Sequence, residues 1–91
     1  MTRNWDDIYN NLDSLNQEDR DEIALKVEII GKIIEARKQQ GLSQAELGAA
    51  AGYRQPMIAR LEKAGMDPQL STLIKVLRPL GLTLKVVPLE V

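Results

Sequence analysis

The chain has 91 residues, 44% of them hydrophobic, which is enough for one core and too little for two. It contains neither cysteine nor histidine, so disulfides, thiolate or imidazole metal sites, a cysteine nucleophile and a histidine general base are all excluded. The net charge of −1 hides a split: up to Glu28 there are three bases against eight acids, net −5, and beyond it nine bases against five acids, net +4. Either both halves are ordinary solvated surface, or the chain meets two partners of opposite charge, a basic one near the N-terminus and an acidic one, such as a nucleic acid, near the centre.

In chain order, the first element expected is a short amphipathic helix over Trp5 to Leu15, because Trp5, Ile8, Tyr9 and Leu12 recur at helical spacing on one face. Asp13, Ser14 and Asn16 break it, and Ser14 or Asn16 is placed to cap a second helix from Glu18 to Gln40 that stops at Gly41. Acids crowd the first turn of that helix, as its dipole prefers. It carries two apolar stripes, Ile23, Val27, Ile30 and Ile34 on one and Leu25, Ile29, Ile33 and Ala36 on the next. A single core needs only the first. The second belongs either to the same core or to a surface for a second subunit or another partner.

Ser43 and Glu46 then form an S-x-x-E capping box at the start of a helix that Gly52 must end. Tyr53 and Arg54 fill a tight turn, and the next helix runs from Gln55 to about Lys63, with Pro56 tolerated because it lies in the first turn. Two short helices joined through a glycine-containing turn make a helix-turn-helix, here Ser43 to Glu62. Asp67-Pro68 opens a further helix with Leu70, Leu73, Ile74 and Leu77, closed near Arg78 by Pro79. From Leu82 to Val91 the composition favours a β-strand, which must find a ladder partner. The expected organisation is an acidic helical extension over residues 1–28, a DNA-binding domain over 29–81 and a terminal strand over 82–91.

Gly41-Leu42-Ser43-Gln44, Glu46-Leu47, Gly52, Gln55, Ile58, Arg60, Leu61-Glu62, Pro68 and Leu73 resemble the Cro/repressor (XRE) helix-turn-helix family. The resemblance spans about Ile33 to Gly81 and implies an all-α, lambda-repressor-like domain, to which the N-terminal helix and the C-terminal β-strand are added. More narrowly, Gln55-Pro56, Ile58-Ala59-Arg60 and the tail Gly81-Leu82-Thr83-Leu84-Lys85-Val86-Val87-Pro88 resemble HigA-type antitoxins. The family implies that the second motif helix lies in the major groove, with Arg54, Gln55, Met57 and Arg60 toward the bases. Glutamine suits adenine, arginine suits guanine, and methionine packs on a thymine methyl. Gln44 resembles a phosphate-binding glutamine and, with Ser43, completes the DNA-binding set. Arg54 departs from the small capping residue usual at its position. Arg37 and Glu62 match a pair that forms a salt bridge in this fold.

These readings converge on an antitoxin that represses its own operon at a palindromic operator in double-stranded DNA and neutralises a small basic toxin, by resemblance a RelE-like ribonuclease. The toxin-binding candidates are Trp5, Asp6, Ile8, Tyr9 and Leu12. Leu82, Leu84, Val86 and Val87 are the candidates for pairing a homodimer. The alternative is a stand-alone repressor, and a third reading is an adaptor that has lost DNA binding, against which Arg54 and Arg60 argue. Neighbouring acids such as Asp6 and Asp7 do not face each other on a helix, so no enzyme is expected, nor any cofactor or metal. With no apolar run of about 18 residues and no secretory leader, a cytoplasmic protein with no membrane partner is expected.

Overall fold

In the computed structural model, which describes residues 17–89, the chain passes through four helices: α1 (Gln17–Gln39), α2 (Gln44–Ala51), α3 (Gln55–Glu62) and α4 (Leu70–Leu77). A single 3₁₀ turn, Arg78–Leu80, follows α4 directly. The helix expected over Trp5 to Leu15, and with it Trp5, Asp6, Ile8, Tyr9 and Leu12, lies outside the described residues.

Local chemistry sets most of these boundaries. In α1, Glu18 and Asp19 occupy the first turn and Arg37 and Lys38 the last, each charge facing the helix-dipole end of opposite sign. The helix closes on Gly41 at φ +70°, where the amides of Gly41 and Leu42 return to the carbonyls of Lys38 and Arg37. That left-handed closing residue is the position glycine fills without steric cost. The capping box of α2 is complete: the Glu46 amide donates to Ser43 Oγ at 3.0 Å, and the Ser43 amide donates to Glu46 Oε1 at 2.9 Å. At its other end Gly52, at φ +84°, repeats the closure of α1. The end of α3 repeats it again, but with Ala64 as the left-handed residue at φ +55°.

Ile33, Leu47, Ile58, Leu61, Val76, Leu77 and Leu80 form the buried core, to which every helix and the 3₁₀ turn contribute. The buried residues of α1 are Ile30 and Ile33, one from each apolar stripe, while Ile23, Leu25 and Val27 stay exposed. Burial therefore follows position along α1 rather than either stripe: Ile30 and Ile33 lie in its C-terminal half, and its N-terminal half overhangs the buried core, joined to Asp67 by Lys26 at 4.0 Å. Gln40 Nε2 donates to the Leu80 carbonyl at 2.8 Å and ties the end of α1 to that turn.

The expected C-terminal β-strand is not formed. Residues 82–89 have no regular secondary structure; a strand needs a ladder partner, and no neighbouring strand exists among the described residues. The Leu82 amide instead closes the 3₁₀ turn on the Leu77 carbonyl at 3.0 Å. Leu82 and Leu84 pack against the core, while Val86 and Val87 are exposed. The four residues expected to pair subunits therefore divide into two anchored within the chain and two facing outward.

Candidate nucleic-acid interface

Within the motif, α2 meets the turn at close range. A side chain at Gly48 would place its Cβ only 2.6 Å from the Tyr53 carbonyl oxygen and 3.3 Å from Ile58 Cγ1, so glycine lets the turn fold onto α2. Tyr53 packs on the core from within the turn, its hydroxyl 3.5 Å from Thr72 Oγ1 on α4. In the sequence Tyr53 reads only as turn filler, and Gly48 gives a single signal, a glycine inside a short helix.

The base-reading candidates run from the cap of α3 to its last turn. Arg54, Gln55 and Arg60 are exposed, and Met57 is half-buried. Arg54 is the N-cap of α3 and makes no side-chain capping bond, while Pro56 sits in the first turn. Ser43 is exposed, with its hydroxyl accepting the Glu46 amide. The hydrogen bonds from Ser43 to Glu46 hold that carboxyl below its usual range, first through the Ser43 amide and then through its hydroxyl.

Behind this surface lies a chain of polar contacts. Arg37 Nε donates to Glu62 Oε2 at 2.6 Å and Arg37 Nη2 to Glu62 Oε1 at 3.0 Å, with side-chain exposures of 12% and 7%. The expected salt bridge between Arg37 and Glu62 is thus present, two-pronged and almost buried. Arg37 Nη1 also donates to the Leu42 carbonyl at 2.9 Å, which ties the pair to the loop before α2. Burial opposes the charge on Glu62, but the hydrogen bonds from Arg37 and Gln44 outweigh it and hold the carboxyl below its usual range. The same hydrogen bond to Glu62 raises the Arg37 guanidinium above its usual value.

Gln44 is half-buried, and its amide is engaged at both ends. Nε2 donates to Glu62 Oε1 at 3.0 Å, and Oε1 accepts from Gln55 Nε2 at 2.7 Å. The structure thus joins three residues, Gln44, Gln55 and Glu62, whose expected tasks are separate: phosphate, base and salt bridge. Gln55 keeps its own oxygen and one N–H for a ligand, the donor and acceptor needed for a two-point contact with an adenine edge.

The helix-turn-helix family model matches residues 33–87, more than half of the chain. An HTH-type transcriptional regulator of Haemophilus influenzae is 46% identical over 97% of this chain and 88% of its own length. Antitoxin HigA1 of Mycobacterium tuberculosis is 39% identical over 65% of this chain, although the match spans only 40% of that protein. Among solved structures, a chain of a toxin-antitoxin module from Streptococcus pneumoniae superposes with a TM-score of 0.71 at 42% identity, covering 99% of this chain and 97% of that one. The resemblance to HigA-type antitoxins of the XRE class, drawn from the motif residues and the tail, agrees with the family match, the HigA1 similarity and the toxin-antitoxin structure. No helix among the described residues is long and apolar enough to cross a membrane.

Proposed function

The chain belongs to the helix-turn-helix family, and from that premise we propose that it is an antitoxin that represses its own operon, with α3 in the major groove of operator DNA and the acidic residues 1–28 neutralising a small basic, RNA-cleaving toxin of RelE-like type. One observation carries the DNA half. Arg54, Gln55 and Arg60 are exposed on α3 and its cap beside the half-buried Met57, with the Gln55 amide already braced by Gln44. The toxin half is supported by the end-to-end similarity to a chain of a toxin-antitoxin module, together with the charge of −5 up to Glu28. A basic nuclease surface attracts Asp6, and a groove between its helices accommodates Trp5, Ile8, Tyr9 and Leu12. Phosphates would repel the same segment.

Two copies of the chain would read a palindrome, with recognition helices about one DNA turn apart, roughly 34 Å. Val86 and Val87, exposed beyond the anchored Leu82 and Leu84, are the pairing residues in this reading. A second reading, a regulator without a toxin, is favoured by the Haemophilus relative, which is described as an uncharacterized HTH-type transcriptional regulator.

Co-purification with the product of the neighbouring gene, joined to a growth-rescue assay, separates the two. Deleting residues 1–15 is expected to leave operator binding intact and abolish rescue. Rescue by the truncated chain would move toxin binding elsewhere, to the exposed Leu25 and half-buried Ile29 of α1. A chain ending at Lys85 keeps both anchored leucines. It is expected to sediment as a monomer, and a dimer would remove Val86 and Val87 from the pairing surface.

A further inference from the structure

The contacts between Gln55 and Arg37 converge on Glu62 from both sides. Gln55 donates to Gln44, Gln44 donates to Glu62, and Glu62 accepts from Arg37 as well. A primary amide can face either way, because its oxygen and nitrogen have nearly the same shape. An ionised carboxylate cannot, because it only accepts. The polarity of the whole row is therefore dictated at Glu62: Gln44 must turn its N–H toward the charge, its oxygen then faces Gln55, and Gln55 must answer with an N–H.

We infer that Glu62, though it faces no base, is a specificity-determining positioning residue that fixes the donor and acceptor pattern Gln55 presents to DNA. Reversing the row would turn the Gln55 oxygen toward Gln44 and present N–H groups where the oxygen had faced outward. That pattern loses the acceptor required by the adenine amino group. Arg37 serves as the counter-charge that keeps Glu62 ionised in an almost buried position. The inference rests on the proposed reading of bases by Gln55, and it assigns that reading's selectivity to two residues behind the interface.

The test uses the full chain on its own operator and on a set of operators substituted at each base pair, at a temperature where circular dichroism shows every variant folded. Gln55→Ala identifies the base pair that Gln55 reads. Gln44→Met cuts the row without touching the ion pair, and Glu62→Gln keeps the shape of the site while no longer dictating the orientation of Gln44. Both are expected to reduce adenine preference at that single base pair by about tenfold and to leave the preferences at the others unchanged.

The decisive arm is the double variant Glu62→Gln with Gln44→Glu. It moves the acceptor-only group one place along the row, so the amide introduced on α3 donates to the new carboxylate on α2, and Gln55 must donate to it as well. Adenine preference is expected to return, even though a new negative charge near phosphate lowers affinity for every sequence. If Gln55→Ala removes the preference but Gln44→Met and Glu62→Gln retain it, the inference fails and base reading by Gln55 stands. A double variant that stays unselective also overturns it. If Gln55→Ala changes no preference at all, base reading and inference fall together.

Discussion

Replacing Arg37 by methionine keeps most of the apolar stem and removes the charge opposite Glu62. Glu62, 7% exposed in the native pair, would then keep one N–H from Gln44 and only the charge of Lys38 nearby. Breaking a buried pair from one side costs about 3–5 kcal/mol, because the survivor is an uncompensated charge in a poorly hydrated place. The surviving bond from Gln44 places the expected loss near the lower end, about 3 kcal/mol. For a domain of this size that lowers the melting temperature by roughly 12 to 24 °C. The pH dependence gives the test its signature. Glu62 is held below the usual carboxylate range, so its contribution is complete above the unfolded value of about 4.3 and disappears as the pH falls through the lower folded value. Without Arg37 the folded carboxyl rises instead, and protonation relieves the variant while it weakens the native protein. Thermal melts from pH 7 down to pH 3 should therefore show a gap that is widest near neutrality and closes in acid. A gap under about 1 kcal/mol at pH 7, the range typical of exposed pairs, would refute the reasoning. So would a gap that did not change with pH.

Three further outcomes follow from the helix ends and the turn. Gly48→Ala forces a Cβ to within 2.6 Å of the Tyr53 carbonyl and is expected to cost about 1–3 kcal/mol, read from the urea midpoint; an unchanged midpoint would mean that the turn yields freely. Ala64→Gly removes the strain of a left-handed alanine at φ +55° and is expected to stabilise by about 1 kcal/mol, read from the same midpoint. Arg54→Ser supplies the cap that α3 lacks and is expected to raise stability by about 1 kcal/mol. The same change should weaken operator binding and reduce its salt slope by about 1, measured by titration at several ionic strengths.

What could be read from the sequence was local. Ser43 with Glu46, Gly41, Gly52 and Pro79 each act within a few residues of themselves, and each marks a boundary where it was expected. The ion pair of Arg37 with Glu62 was legible only through the family resemblance, since nothing in a sequence announces a contact across 25 positions. The rest depended on tertiary placement. Both stripes of α1 are equally helical and equally apolar, and which residues are buried depends on how far the core extends along the helix. The residues after Gly81 have strand-forming side chains, but strand formation needs a second strand, and Leu82 and Leu84 found the core instead. The left-handed residue after α3 fell on Ala64 rather than the neighbouring Gly65, because the geometry of the closure counts residues from the helix end and not by type. Gln44 looked like a phosphate ligand, and its contact with Glu62 appears only once α2 and α3 are folded together.

The overhang of α1 divides the molecule into parts of unequal endurance. Ile30 and Ile33 are buried within the cooperative unit, whereas Ile23, Leu25 and Val27 are 50% to 59% exposed and add little that resists opening. Amides of the first three turns are expected to exchange with solvent by fraying, and those from Ile33 onward only when the whole domain unfolds. A ligand that covered the overhang would therefore do more than gain contact area. It would extend the protected register of the helix toward Gln17, and hydrogen exchange would record its footprint as a change in folding, even at amides that it never touches.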